Sequence, residues 1–312
     1  MKVIFMGTPD FSVGTLEALI EAGYEIPLVV TQPDKPKGRG KSMQSSPVKE
    51  AALAHHIEVY QPKRIRDAAC IEYLKSYPVD FMVVVAFGQI LTKEILDLPT
   101  YGCINVHASL LPKYRGAAPI QWAVINGEEI SGITTMRMDE GIDTGDMILK
   151  EEVRLTTEET GGSLFQRLSK TGASLCVRTL QEIEAGTAEY KKQNNQDATH
   201  TTMIHKQMGA INWKKSAVEI ERLIRGLNPW PSAYTQLNGK TLKIWKARVL
   251  DKESGEPAGT IIAAKDTLEV QTQKGVLMLL EIQLEGKKRM TADAFLRGFP
   301  LEIGMTFETS NM

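Results

Sequence analysis

Asn105, His107 and a carboxylate further along are the residues of this 312-residue chain whose types and spacing could do chemistry. Asn105-Val-His107 closes an apolar run that begins at Cys103, and the period of two in a strand puts the amide and the imidazole on the same side as the chain leaves a sheet. Two hydrogen donors aimed at one point can polarise a carbonyl and hold the charge that grows on its oxygen. Ser109-Leu-Leu-Pro112 follows as a turn, because Pro112 cannot continue a ladder and pushes Leu111 to an extended shape. The later stretch Met138-Asp-Glu-Gly-Ile-Asp-Thr-Gly-Asp146 offers Asp139, Asp143 and Asp146 among glycines, so a carboxylate on a flexible turn could close on the imidazole. No Ser or Cys nucleophile is placed among these groups, which points to direct group transfer without a covalent enzyme intermediate.

Positioning such groups requires a sheet whose strands end together. Val3 to Met6 reads as a strand, Gly7-Thr-Pro-Asp10 as a tight turn, and Phe11 to Ala22 as a helix capped by Asp10 and stopped by Gly23. Pro27 to Thr31 is the next strand, completing a βαβ unit. Val79 to Ala86 is β-branched and nearly all apolar, as a central parallel strand covered on both faces should be. Its exit loop, Phe87-Gly-Gln-Ile90, is expected to open beside the one that follows His107, where open α/β sheets hold ligands. Ala117 to Asn126 reads as a helix closed by Gly127, with Trp122 in the core. Ile133 to Met138 and Met147 to Val153 alternate like the strands of a hairpin carrying the Asp143 turn. Thr156 and Glu159 have capping-box spacing ahead of a helix from about Leu164 to Glu184. A dinucleotide site at the first turn is disfavoured, since it has one glycine where the fingerprint needs three and Pro9 blocks close approach to a pyrophosphate.

Charge is distributed unevenly. The net charge is −1, so any nucleic-acid role must come from local clusters. One is Asp34-Lys-Pro-Lys-Gly-Arg-Gly-Lys41, where Lys35, Lys37, Arg39, Lys41 and Lys49 face only Asp34 and Glu50; its prolines and glycines predict an irregular exposed loop able to clamp phosphates. Ser46 is expected to cap a helix that starts at Pro47. Between Lys206 and Arg248, nine basic residues stand against Glu219 and Glu221, and Trp213, Trp230 and Trp245 lie in the same span, with Trp213 and Trp245 expected in the core. The three cysteines are far apart and lack C-x-x-C spacing, which predicts reduced thiols and no zinc site. Met1 runs directly into the first strand and no apolar run could span a bilayer, so a cytoplasmic protein without a leader or membrane contact is expected.

Composition shifts at Lys191-Lys-Gln-Asn-Asn-Gln-Asp197, which holds no apolar residue. Past Arg225-Gly-Leu-Asn-Pro-Trp-Pro231 come short alternating runs: Ala233 to Leu237, Thr241 to Val249, Gly259 to Ala263, Thr267 to Thr272 and Val276 to Leu284. Their spacing predicts a small OB-like β-barrel. The expected organisation is therefore an α/β, Rossmann-like, mostly parallel sheet domain over residues 1–189, a linker over 190–205, and the OB-like domain over 206–312.

Taken together, Gly7-Thr-Pro-Asp-Phe11, Gly38-Arg-Gly-Lys41, Asn105-Val-His107, Ser109-Leu-Leu-Pro112, Tyr114-Arg-Gly-Ala-Ala-Pro119, Asp139-Glu-Gly-Ile-Asp-Thr-Gly145 and Leu227-Asn-Pro-Trp-Pro-Ser-Ala233 resemble the methionyl-tRNA formyltransferase family of folate-dependent formyltransferases. The resemblance implies transfer of a formyl group from 10-formyltetrahydrofolate to the amino group of initiator methionyl-tRNA, by amine attack through a tetrahedral centre whose oxygen is stabilised. It implies Asn105, His107 and Asp143 as catalytic residues, and Ser109, Leu110, Leu111 and Pro112 as folate contacts. Phe87, Gly88, Gln89 and Ile90 are added as part of the pterin pocket. Lys37, Arg39 and Lys41 are expected to meet tRNA, and Arg39 the acceptor arm. Ser42 departs from the family, which often carries a second lysine after Lys41. No metal and no obligate protein partner are expected. The Asn-x-His and Asp-x-Gly pattern also marks formyltransferases acting on amino sugars, which would need no basic barrel. Two further readings are a tRNA-binding protein with a silent sheet domain and an NAD-dependent enzyme; intact Asn105, His107 and Asp143 weigh against the first, and the single-glycine turn against the second.

Overall fold

Apolar runs of the sequence become strands, and in the computed structural model, which describes residues 1–37 and 42–307, five parallel strands make up one side of a seven-stranded sheet. Its order is Met147–Arg154, Ile130–Arg137, Cys103–His107, Phe81–Val85, Lys2–Gly7, Glu25–Val30, Val59–Tyr60. The last five run parallel, while Ile130–Arg137 is antiparallel to both its neighbours. Every residue of Phe81–Val85 and of Cys103–His107 is buried, as strands covered on both faces require. The helix Asp10–Glu21 starts after Pro9, and Asp10 accepts from the Phe11 N–H at its head. Ser46 accepts from the Lys49 N–H and caps Pro47–Ala54 as expected. Strand register also decides the site: Val84 pairs with Asn105, so the exits of Phe81–Val85 and Cys103–His107 lie side by side, and His107 pairs with Thr134 of the antiparallel strand Ile130–Arg137.

Several expectations change. Lys35–Lys37 and Ser42–Gln44 pair antiparallel in a two-strand ribbon instead of an irregular loop; a ribbon leaves one side of each strand unpaired, so Pro36 can sit where no donor is needed. Arg39 and Lys41 lie outside the described residues. The long helix runs Gly161–Glu184, and it is Thr160 and Ser163 that exchange capping bonds at its start, while the Thr156 N–H donates only a long hydrogen bond to the Glu159 carboxylate. Residues 190–201, read from composition as part of a linker, pack within the first unit: Met147 and Lys191 exchange both backbone hydrogen bonds, and His200–Thr201 pairs with Arg115–Gly116. By contact the chain divides into a first unit of residues 1–116, 130–154 and 165–201 and a second of 117–129, 155–164 and 202–312.

The second unit holds an antiparallel sheet ordered Ala233–Leu237, Lys240–Leu250, Val276–Leu284, Leu268–Gln271, Ile261–Ala264, with Met290–Thr291 added beside Val276–Leu284. Its strands match the alternating runs read from the sequence, and they wrap an apolar core that also takes in the helix Ala217–Gly226. Trp213 is fully buried in it, stacks on Phe307, and donates from Nε1 to Thr235 Oγ1 at 3.1 Å. Trp245 and Trp122 are not core residues. Trp245 is half-buried between the cations Lys243 and Arg289 and donates to Gln283, and Trp122 is half-buried and donates to the Thr202 carbonyl. An indole with a partly wet edge keeps its N–H satisfied at lower cost than one enclosed in apolar core. Trp213→Ala is expected to lower stability by about 3 to 5 kcal/mol, as removal of a large buried aromatic does. Urea unfolding of the full chain checks this; a loss under about 1 kcal/mol would contradict the central place given to Trp213.

Burial pushes the Cys103 and Cys176 thiols up to about 12. A raised thiol pKa means the native chain holds protons that the unfolded chain has lost, so stability falls as pH rises above about 9 and continues to fall towards 12, by about 1.4 kcal/mol per pH unit for each thiol. Urea midpoints measured from pH 8 to 10.5 should drop, and Cys176→Ala should make the drop shallower. An unchanged slope would mean the thiol titrates as freely folded as unfolded.

Candidate active site

The strand Cys103–His107 delivers Asn105 and His107 at the carboxyl edge of the sheet, 8% and 7% exposed. The strand Ile130–Arg137 ends beside Ile104, at the start of Cys103–His107, and the turn that leads on to Met147–Arg154 folds back so that Asp143 reaches Asn105 and His107. Asn105 Nδ2 donates to Asp143 Oδ1 at 3.3 Å, and His107 Nδ1 lies 3.6 Å from Asp143 Oδ2. The second distance is beyond hydrogen-bond range and within that of an ion pair. His107 Nε2 lies 2.9 Å from the carbonyl oxygen of Tyr114. A carbonyl can only accept, so Nε2 carries a hydrogen and Nδ1 is the ring nitrogen facing Asp143.

Asp143 adopts φ +54°, a left-handed conformation that Asp tolerates better than most residues. Its Oδ2 accepts from the Gly116 N–H at 2.8 Å. Gly145 is required two residues on, because a Cβ there would sit 1.9 Å from the Arg137 carbonyl oxygen. Of the three aspartates in this stretch, only Asp143 faces the imidazole. Asp139 instead accepts from the Gly141 N–H and the Thr144 hydroxyl and shapes the turn.

The turn Ser109–Pro112, which contains a cis Leu111-Pro112 bond, is held from beneath. The buried Thr134 hydroxyl accepts from the Leu111 N–H at 3.0 Å and donates to the Ser109 carbonyl at 2.7 Å, the Ser109 hydroxyl donates to the Lys113 carbonyl, and the Lys150 ammonium donates to the Leu111 carbonyl. Ser109 and Leu111 are buried and Leu110 and Pro112 partly exposed. In the neighbouring exit loop, the Phe87 side chain packs in the core and its carbonyl accepts from Thr8 and Gln32. Gln89 is turned to the Ile65 N–H and the Pro62 carbonyl. Gly88 and the 72% exposed Ile90 form the outward surface of that loop. Of the basic residues expected to meet tRNA, Lys37 lies in the two-strand ribbon. Among the described residues no group of three or more His, Cys, Asp or Glu side chains is arranged to hold a metal ion, and no helix is long and apolar enough to cross a membrane.

Sequence reasoning left roles for Tyr114, Gly116 and Thr134 unassigned. All three act on the site through one backbone group or one buried hydroxyl, and side-chain type signals neither. Tyr114 and Gly116 lie inside a stretch that carries the family resemblance, which was the available clue.

Residues 1–180 match the family model described as formyl transferase, and residues 203–300 the one described as formyl transferase, C-terminal domain. A methionyl-tRNA formyltransferase of Agathobacter rectalis is 67% identical, the match covering 98% of this chain and 99% of that protein. The methionyl-tRNA formyltransferase of Lachnospira eligens is 57% identical, with 98% and 99% covered. Among solved structures, an N-formyltransferase from Helicobacter canadensis, in complex with folinic acid and dTDP-3-aminofucose, superposes with a TM-score of 0.68 at 22% identity, covering 89% of this chain and 98% of that one.

Proposed function

We propose, from the premise that this chain belongs to the methionyl-tRNA formyltransferase family, that it transfers a formyl group from 10-formyltetrahydrofolate to the amino group of initiator methionyl-tRNA. The observation that carries the reading is the meeting of Asn105, His107 and Asp143 at one carboxyl edge of the sheet. The formyl donor supplies an activated one-carbon acyl group. Its pterin is assigned to the Thr134-braced turn Ser109–Pro112 and the exposed Gly88 and Ile90 of the loop after Phe81–Val85, which offer backbone groups and apolar surface.

Asn105 has two amide hydrogens and gives one to Asp143, leaving the other for the carbonyl oxygen under attack. His107 uses Nε2 on Tyr114 and is left with Nδ1. In the cationic form both its hydrogens face oxygen, and Nδ1–H serves the same developing charge. The Asp143 carboxylate receives the proton given up by the attacking amine, directly or through water, and passes it to the folate nitrogen as that leaves, giving the formylated amine and tetrahydrofolate.

For tRNA, the Lys37, Arg39 and Lys41 cluster is read as the clamp on the acceptor arm, residues 206–312 as the tRNA-binding part, and residues 1–189, with the segment 190–201 packed in the same unit, as the catalytic part. Lys240, Lys246 and Arg248 are exposed along one long strand of the second unit. Binding should weaken steeply with salt through counterion release. The test offers labelled formyl donor with initiator methionyl-tRNA, elongator methionyl-tRNA and a nucleotide-linked amino sugar in parallel. Transfer to initiator methionyl-tRNA and none to the sugar is expected. Transfer to the sugar alone would make the chain a sugar-modifying enzyme.

A further inference from the structure

The segment after the long helix carries a side chain that spans the two backbone pieces on which the site leans. Gln193 Nε2 donates to the carbonyls of Asp143 and Gly145, both at 2.8 Å, and its Oε1 accepts from Arg115 Nε at 2.9 Å. The orientation of the amide is unambiguous, since carbonyls need the NH2 end and a guanidinium needs the oxygen. Arg115, 3% exposed, also donates to Asn195 Oδ1, and its backbone bonds to residues 199–201. Its neighbours do the other half of the work: the Tyr114 carbonyl faces His107 Nε2, and the Gly116 N–H holds Asp143 Oδ2.

The geometry points to Gln193 as a positioning residue that sets the Asp143 carboxylate against His107 from behind, by clamping the left-handed Asp143 turn to the 114–116 strand. Gln193 touches no reacting atom. A side chain that donates twice and accepts once, at the reach of three carbons, has no substitute among the other amino acids. Gln193→Glu keeps the shape and the Arg115 contact and loses both donors to the turn. Gln193→Ala loses everything.

This inference rests on the reading that Asp143 acts in the reaction, and its test separates the two. Steady-state kinetics with methionyl-tRNA are measured for Gln193→Glu, Gln193→Ala, Asp143→Asn and Gln193→Ala with Asp143→Asn, alongside thermal unfolding. Displacement of a catalytic group by about 1 Å can lower the rate by about 100-fold. The expected result is a fall in kcat of up to about that size for both Gln193 variants, with KM for the formyl donor unchanged, both variants still folded at the assay temperature, and the double variant no slower than Asp143→Asn alone. Impaired Asp143→Asn together with normal kcat in both Gln193 variants, or fully multiplicative losses in the double variant, would overturn the positioning role and leave Asp143 in place. Normal turnover in Asp143→Asn would overturn both.

Discussion

Replacing Asn105 or His107 with alanine lowers kcat for formyl transfer by about 10²- to 10³-fold, the effect of removing one preorganised donor from an oxyanion site. Both side chains are buried at the edge of the sheet, in a region where water screens little, and both point at the same carboxylate. Their interaction with a neutral formyl oxygen is weak and with a developing oxyanion strong, so the loss appears in kcat and the KM of the formyl donor stays within about twofold. The measurement is steady-state kinetics for each variant, with a thermal melt to show that the sheet is intact. His107→Ala also removes the contact with the Tyr114 carbonyl, which makes the melt the necessary control. Equal losses in kcat/KM from a raised KM alone would mean that the two residues bind substrate and do not act on its transition state. Near-normal turnover in both would remove the oxyanion site altogether.

Asp143→Asn separates charge from shape. Asn is at home in the left-handed conformation at φ +54°, and its side-chain oxygen can still accept from the Gly116 N–H. What is lost is the negative charge opposite His107, the ability to take a proton and, with the oxygen kept on Gly116, the acceptor for the Asn105 amide. A kcat lower by about 10²- to 10⁴-fold, the usual range for a removed acid–base group, is expected with the fold and formyl-donor binding retained. Asp143→Ala should be no faster. Should Asp143→Asn turn over like the parent while Asp143→Ala is slow, the residue would be a turn former that holds Gly116, and His107 would have to manage its proton without a carboxylate.

Much of this arrangement was readable in one dimension. Asn105 and His107 are two apart on a strand bounded by apolar residues, and a period of two allows only one outcome for their relative direction. The apolar runs at Val3–Met6 and Val79–Ala86 had no other stable place than the middle of a covered sheet, where the second forms the strand Phe81–Val85. The capped helix at Ser46-Pro47 and the alternating runs of the second unit followed from local chemistry in the same way. The choice among Asp139, Asp143 and Asp146 could not be made locally, because all three sit in one glycine-rich turn. The resemblance picked Asp143, and the fold holds that carboxylate on the Gly116 N–H, which lies far away in sequence.

The amino-acid sequence by itself determined the strand that carries the amide and the imidazole, the two-part organisation and the family, because each depends on periodicity, burial or contiguous motifs. Tertiary structure alone decided that Thr134 braces the turn Ser109–Pro112, that Tyr114 orients His107, and that the polar segment around Gln193 packs against the Asp143 turn and does not hang free. Composition marks a stretch without apolar residues as solvated, yet a polar chain also packs well wherever unpaired carbonyls and a buried guanidinium wait for amides. That complementarity exists only between segments brought together by the fold, and hydrogen bonds to backbone groups leave no trace in the identity of the residue that offers them.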